Sequence, residues 1–152
     1  MSFFLVDSTE ASPAEISGLE DRLGWQLPGD YVSFLAANNG GECVSGGEFR
    51  MLATGETICQ ISAMLGIRDD NPDFNIESHL EYLAARVPDH LLPIAYDTEG
   101  NYLLLDGNEA RLGQVYYFSL ENAERDHPPR VSALTVVART FKNFCAQLES
   151  NP

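Results

Sequence analysis

The stretch LLPIAYDTEGNYLLL, residues 91–105, decides the fold class predicted for this chain. Its two apolar runs, 91–96 and 102–105, flank the turn-forming residues DTEGN at 97–101, a pattern typical of a β-hairpin with a five-residue turn. The sequence VYYF at 115–118 predicts a third strand. Apolar residues at both odd and even positions of the last two strands indicate burial on both faces, so we expect these strands in the centre of the sheet.

Two short helices are predicted before this sheet region. Ser12, Pro13 and Glu15 form a capping-box pattern that begins a helix, which ends near Gly24. A second helix is predicted to begin in the LPGD sequence at 27–30 and to end at NNGG, residues 38–41. The two helices therefore form a helical hairpin.

Two further helices are predicted from apolar residues at helical spacing. The middle helix is expected to end before Pro88, and the closing helix follows a loop predicted for residues 121–130. Residues 42–67 suit short edge strands or loops, as at 48–52. The apolar residues that define these helices are Ile76, Leu80, Leu83 and Val87 for the first, and Val137, Phe141, Phe144, Cys145 and Leu148 for the second.

These elements predict one α+β domain over residues 1–152. We expect a largely antiparallel or mixed sheet of about five or six strands, with the N-terminal helical hairpin, the middle helix and the C-terminal helix packed on it. A chain of 152 residues is long enough to bury a core without disulfides or a structural metal.

The balance of charge is strongly acidic. There are 23 Asp and Glu residues against 9 Lys and Arg, a formal net charge of -14, and the acids are concentrated before residue 111. Nucleic acids and anionic membranes are therefore disfavoured as partners, because both attract basic surfaces. A cation, a basic peptide or a basic protein would be attracted. The alternative is that the charge serves solubility alone.

The cysteines and the N-terminus favour a cytoplasmic protein. Cys43, Cys59 and Cys145 form no CxxC pair, and an odd number argues against a secreted disulfide framework. The first residues lack the basic and long apolar segments of a signal peptide, and no stretch is long enough for a transmembrane helix.

No pattern of catalytic or metal-binding residues stands out. Asp69, Asn71 and Asp73 have the spacing of a calcium loop, but Phe74 occupies the position where such a loop needs glycine. The three histidines are far apart, and His79 is expected at the surface of its helix. Carboxylate pairs among Asp97, Glu99, Asp106 and Glu109 remain open, with turn chemistry the favoured role for Asp97. We therefore predict no metal, no cofactor and no enzymatic activity.

Three blocks of the sequence resemble the SUKH superfamily of Smi/Knr-type domains. The first runs from Leu19-Glu20 through LPGDYVSFL at 27–35 to NGG at 39–41. The second comprises LPIAYDTEGN at 92–101, Leu105-Asp106 and GQVY at 113–116. The third is VARTFKNF at 137–144. This resemblance implies an α+β domain and, for bacterial members, immunity proteins that neutralise polymorphic or contact-dependent toxins, many of them nucleases. Fungal relatives regulate cell-wall assembly and signalling, and neither role is enzymatic.

Charge and resemblance together predict a protein partner with a basic surface, such as a cognate toxin, which this chain would cover. Tyr96 is the favoured aromatic anchor, whereas Trp25 and Tyr116 are expected in the core. A scaffold or regulatory interaction domain, or an enzyme of unrecognised type, are the alternatives. The predicted partner contacts are Glu42, Asp69, Asp70, Asp73, Tyr96, Glu99, Asp106 and Glu109.

Overall fold

The computed structural model describes residues 4–120 and 134–149, which form four α-helices and eight β-strands. The helices are α1 (Pro13–Leu23), α2 (Gly29–Ala37), α3 (Ile76–Leu83) and α4 (Phe141–Glu149). The strands are β1 (Phe4–Val6), β2 (Gly41–Ser45), β3 (Glu48–Arg50), β4 (Thr57–Met64), β5 (Leu91–Asp97), β6 (Tyr102–Asp106), β7 (Val115–Phe118) and β8 (Thr135–Ala138). The loop predicted for 121–130 lies outside the described residues.

The strands form one antiparallel sheet in the order β1-β2-β4-β5-β6-β7-β8, with β3 paired to β4. The α+β class, the β5–β6 hairpin and the central position of β6 are confirmed. The predicted number of strands was too small. The additional strands β1 and β8 are only 3 and 4 residues long, too short for a clear alternating pattern.

The helical hairpin forms as the capping pattern predicts. The Ser12 hydroxyl accepts from the Glu15 amide at 3.1 Å, and the Glu15 carboxylate accepts from the Ser12 amide at 2.9 Å. Gly24 ends α1 with a φ of 81°, a left-handed conformation that favours glycine. The sequence around α1 therefore encodes both ends of the helix locally.

The predicted bounds of the last two helices were wrong at one end each. Val137 lies in β8, and α4 begins at Phe141, where the Thr140 hydroxyl accepts from the Asn143 amide at 3.1 Å. The β-branched Thr135, Val136 and Val137 favour a strand even though Val137 fits the helical spacing. Likewise, α3 ends at Leu83, and Val87 is buried from a turn beyond the helix.

The two faces of the sheet carry different cores, and α3 contributes to both, with Ile76 in the larger core and Leu83 in the second. The larger core lies under α1, α2 and α4, where Tyr31, Phe34, Phe141 and Phe144 pack on Leu103 and its neighbours. On the opposite face, which we call the α3 face, Leu83 of α3 packs into a second core. The other buried members of that second core are Val87, Leu91, Tyr102, Leu104, Tyr116 and Phe118.

The segment around β3 contacts strands β7 and β8. Phe49 of β3 packs near Tyr117 of β7, with ring centroids 5.6 Å apart. Just after β3, the Leu52 amide donates to the Val136 carbonyl in β8 at 2.9 Å. This hydrogen bond links the segment after β3 to β8. Within residues 4–120 and 134–149, no helix combines the length and the apolarity needed to cross a membrane.

Candidate protein-binding surface

Asp106, one of the predicted partner contacts, is fully buried at the end of β6. Its Oδ2 accepts from the Tyr116 hydroxyl at 2.6 Å and from Arg111 Nε at 3.1 Å, and its Oδ1 accepts from the Asn108 amide at 2.8 Å. Burial, followed by the adjacent carboxylate, raises the pKa of the Tyr116 phenol. Asp106 therefore holds the connection between β6 and β7, and its prediction as a partner contact is corrected.

Asp97 has the turn role that the sequence favoured. It is buried, and its Oδ1 accepts from the amides of Glu99 and Asn101 at 2.9 and 2.8 Å. These bonds fix the β5–β6 turn and leave Glu99 exposed at its tip. The buried Asp97 carboxylate thus stabilises the turn, while the Glu99 carboxylate faces solvent.

The three aspartates of the acidic loop before α3 are all exposed, and Asp70 differs from the other two in being paired with Arg68. Asp70 accepts from Arg68 Nε and Nη2, both at 2.9 Å, and Arg68 is only 4% exposed. The hydrogen bond from Arg68 lowers the pKa of the Asp70 carboxyl below its usual value. Asp69 and Asp73 are exposed and form no ion pair within the described chain. Asp70 is therefore paired with Arg68, whereas the carboxylates of Asp69 and Asp73 can contact a partner.

Three predicted contacts, Glu42, Asp73 and Tyr96, converge on the α3 face. Glu42 of β2 pairs with Ala63 of β4, and Ala63 pairs with Tyr96 of β5. Directly paired residues project their side chains from the same face, so Glu42 and Tyr96 flank the small Ala63. Burial first, and then the charges of Asp73 and Glu42, raise the pKa of the Tyr96 phenol. Two carboxylates therefore lie close to one half-buried aromatic ring.

His79 of α3 contacts both the Asp73 backbone and the Tyr96 ring. Its Nε2 lies 2.9 Å from the Asp73 carbonyl oxygen and its Nδ1 lies 2.7 Å from the Tyr102 hydroxyl. Because a carbonyl oxygen only accepts, Nε2 is the donor, and in the neutral ring Nδ1 accepts from Tyr102. The His79 ring also packs on Tyr96 with centroids 5.5 Å apart.

His79 is thus a half-buried positioning residue rather than a free surface histidine. The sequence carried the signal for this placement. His79 stands three residues after Ile76, one residue before Leu80 and four before Leu83, so it lies on the apolar stripe of its helix.

Two exposed valines extend the convergent site across β1 and β2. Val6 pairs with Glu42 and is 41% exposed, and Val44, two residues beyond Glu42, is 56% exposed. The sequence reasoning missed both valines, because β1 was not predicted and the region of β2 was predicted only as short edge strands or loops. We call the surface formed by Val6, Glu42, Val44, Asp73 and Tyr96 the Tyr96 surface.

The remaining candidates lie elsewhere. Glu109 is exposed in a short 3-10 turn after β6, at the opposite end of that strand from Tyr102, the partner of Tyr96. Tyr116 is buried as expected. Trp25 is partly buried and lies against Gly107, where an added Cβ would come within 2.5 Å of its ring. Neither of these two aromatic residues belongs to the Tyr96 surface.

The described chain was searched for groups of metal ligands and for reactive cysteines. Across residues 4–120 and 134–149, no three His, Cys, Asp or Glu side chains are grouped so that they could hold a metal ion. Burial raises the pKa of the Cys145 thiol to about 12 and also raises the pKa of Cys43. A raised pKa leaves less of the nucleophilic thiolate at neutral pH.

Comparison with known proteins relates this chain to a protein family and to a bacterial protein. The model of the SMI1 / KNR4 family (SUKH-1) matches residues 10–147. A protein of Bacillus subtilis strain 168, described as the uncharacterized protein YnaB, is 28% identical over 115 residues. That match covers 75% of this chain but 62% of the relative, so the chain spans less than two thirds of the relative's length.

Proposed function

Because this chain belongs to the SMI1/KNR4 family (SUKH-1), we propose that it is a protein-binding domain that acts as an immunity protein. It would neutralise a toxin of a polymorphic or contact-dependent system by covering the toxin's surface, without catalysing a reaction. Proteins of this family generally interact with other proteins, which supports the binding role. Reduced thiols and the composition support action in the cytoplasm.

The observation that carries the proposal is the surplus of acidic charge left unpaired at the surface. Five predicted contacts are exposed and take part in no ion pair among the described residues: Glu42, Asp69, Asp73, Glu99 and Glu109. A nuclease must present basic surface to bind nucleic acid, and a protein with a net charge of -14 is attracted to such a surface. The partner we propose is therefore a toxin with a basic surface, for which a nuclease is the leading class.

The buried acids support a non-catalytic role. Asp106 is engaged by Tyr116, Arg111 and a backbone amide, and Asp97 fixes a turn. Both carboxylates thus serve the architecture of the β5–β6 region. Occlusion of a partner needs a complementary surface of about 800 Å² per protein and no reacting group.

The test is to co-express this chain with the product of the gene that neighbours its own, which we expect to encode a toxin domain. We expect a stable stoichiometric complex, and we expect the activity of the toxin, assayed as cleavage of nucleic acid, to be lost on complex formation. A toxin domain that stays fully active and separate from the chain would refute the immunity role. A stable complex with a partner that has no toxic activity would instead favour a regulatory interaction domain.

A further inference from the structure

We infer that the Tyr96 surface is the docking face for the partner and that it takes a segment presenting one arginine or lysine side chain flanked by aliphatic residues. This inference rests on the proposed function and adds to it the place and chemistry of the contact. It selects one face among the several acidic regions of the molecule.

The first argument is that this part of the sheet is uncovered. Farther along the α3 face, Tyr102 and Tyr116 are buried as members of the second core. At β1 and β2 the same sheet instead exposes Val6 and Val44, two of the five large apolar residues exposed in the described chain. Exposed apolar side chains grouped on one face are typical of an interaction site.

The second argument is that the polar groups of the Tyr96 surface have unused bonding capacity. The Tyr96 hydroxyl makes no hydrogen bond, and the Glu42 and Asp73 carboxylates make no ion pair, to any described residue. Arg68 contacts the loop that carries Asp73 but is buried and bound by Asp70. The negative charge at this surface is therefore not neutralised from within the described chain.

The third argument is that the surface is held in place before any partner arrives. His79 packs on the Tyr96 ring and bonds to the Asp73 backbone, so α3 fixes both relative to the sheet. Glu42 is fixed by the ladder of β2 with β4. A preorganised surface loses little conformational entropy on binding.

These features together select a cationic occupant. An arginine or lysine side chain over the Tyr96 ring would make a cation–π contact, with the charge between the Glu42 and Asp73 carboxylates. Aliphatic neighbours of that side chain would cover Val6 and Val44. A purely apolar segment would desolvate both carboxylates without compensation, and a second copy of a chain with a net charge of -14 would be repelled.

The test uses two capped tripeptides, Val-Arg-Val and Val-Gln-Val, titrated separately into the isotope-labelled full chain and followed by amide NMR spectra. We expect the arginine peptide to shift resonances of the Tyr96 surface and the glutamine peptide to leave them unchanged at the same concentration. Shifts that spread evenly over Glu99, Glu109 and the other exposed acids would overturn the inference.

Variants sharpen the assignment. Tyr96→Leu and the double variant Glu42→Gln with Asp73→Asn should each weaken binding of the arginine peptide by about five- to tenfold. The double variant Asp21→Asn with Glu56→Gln removes two exposed charges outside the predicted contacts and should leave the affinity unchanged. Dispersed amide spectra show that each variant is folded. Unchanged affinity in the folded Tyr96→Leu variant would also overturn the inference.

The immunity role and the docking face can be refuted independently of each other. If the peptide binds at the Tyr96 surface but the toxin keeps its activity, the docking face stands and the immunity role falls. If the chain inhibits its toxin while the peptide shifts no resonance of this surface, the immunity role stands and the docking face falls.

Discussion

The phenolic oxygen of Tyr116 lies 2.6 Å from Oδ2 of Asp106, and both residues are buried on the α3 face. The bond joins the end of β6 to β7, the two strands that the short turn at 109–111 connects. Asp106 and Tyr116 both belong to the sequence block through which the chain resembles its family. These residues of the block therefore stabilise a connection inside the fold. The choice of partner depends instead on surface residues.

Replacement of Asp106 by alanine should destabilise the protein markedly. The Asn108 amide and Arg111 Nε would lose their acceptor, and the Tyr116 hydroxyl would keep only Gln114 Oε1. We therefore expect a decrease of about 2–4 kcal/mol in the free energy of unfolding. Urea denaturation measures this change. Glu109→Ala, at an exposed position nearby, should change the free energy by less than about 0.5 kcal/mol. Equal stabilities of the two variants would contradict the structural role of Asp106.

The Arg68–Asp70 pair should make stability depend on pH in the acid range. Because Arg68 lowers the pKa of Asp70 below its ordinary value of 3.8, the contribution of the pair is present above that pH and lost as the pH falls through the lowered pKa of the folded state. Thermal unfolding between pH 7 and pH 2 should therefore show a shallower acid loss for Asp70→Asn than for the natural chain. Asp69→Asn, with no ion-pair partner among the described residues, should follow the natural chain. Parallel curves for Asp70→Asn and the natural chain would contradict this account.

Gly107 should not tolerate a side chain. A Cβ there would lie 2.5 Å from atoms of the Trp25 ring, so Gly107→Ala must displace the ring, at a cost of about 1–3 kcal/mol. Trp25 is the single tryptophan of the chain, and its fluorescence spectrum should shift with the displacement.

The matched control for Gly107 is Gly18→Ala in the exposed middle of α1, where the added carbon meets nothing within 4 Å. This change should stabilise the protein by about 0.5–1 kcal/mol, because alanine loses less backbone entropy than glycine in a helix. An unshifted spectrum and unchanged stability for Gly107→Ala would contradict the expected clash with the Trp25 ring.

Alkylation should reveal the burial of Cys145. Because burial raises the pKa of its thiol from 9.0 to about 12, the thiolate fraction at pH 8 should be roughly 100- to 1000-fold lower in the folded protein than in urea. Mass spectrometry after timed exposure to iodoacetamide measures the rate at this cysteine. The same shift predicts that the stability contribution of the neutral thiol is lost as the pH rises from about 9 towards 12. Rapid modification of Cys145 under native conditions would contradict the burial.

Association with the toxin should depend strongly on salt. If acidic charge steers the encounter, the association rate constant should fall by about 10- to 100-fold between about 0.05 and 0.5 M salt, with a smaller change in the dissociation rate. Stopped-flow fluorescence with Trp25 as the reporter is one suitable measurement. A flat salt profile would show that binding does not depend on long-range attraction.

Elements with local signals were predictable from the sequence, and those that depend on distant partners were not. The capping box of α1, the start of α2 and the 97–101 turn each lie within a few residues of the chain. Strand β1 instead owes its existence to pairing with β2, across the whole helical hairpin. No local pattern specifies such a partner.

For the candidate site, individual residues were predictable from the sequence, but their arrangement in space was not. Glu42, Asp73 and Tyr96 were expected to contact a partner, but their convergence depends on the β2–β4–β5 register, which the sequence did not reveal. Asp106 was misplaced because an acidic residue at the end of an apolar strand is equally compatible with a solvent-facing or a capping role. The role of Asp106 is decided by Tyr116 and Arg111, which the fold brings to it.

The hydrogen bond between Leu52 and Val136 bears on how the protein is made in the cell. A ribosome releases the chain from its N-terminus, so the segment after β3 emerges long before the strand that it must meet. Helix α4, which supplies Phe141 and Phe144 to the larger core, is synthesised later still. The nascent polypeptide therefore cannot complete this domain until β8 and α4 have been synthesised, and premature termination before β8 would yield a product that exposes its interior to proteases and chaperones.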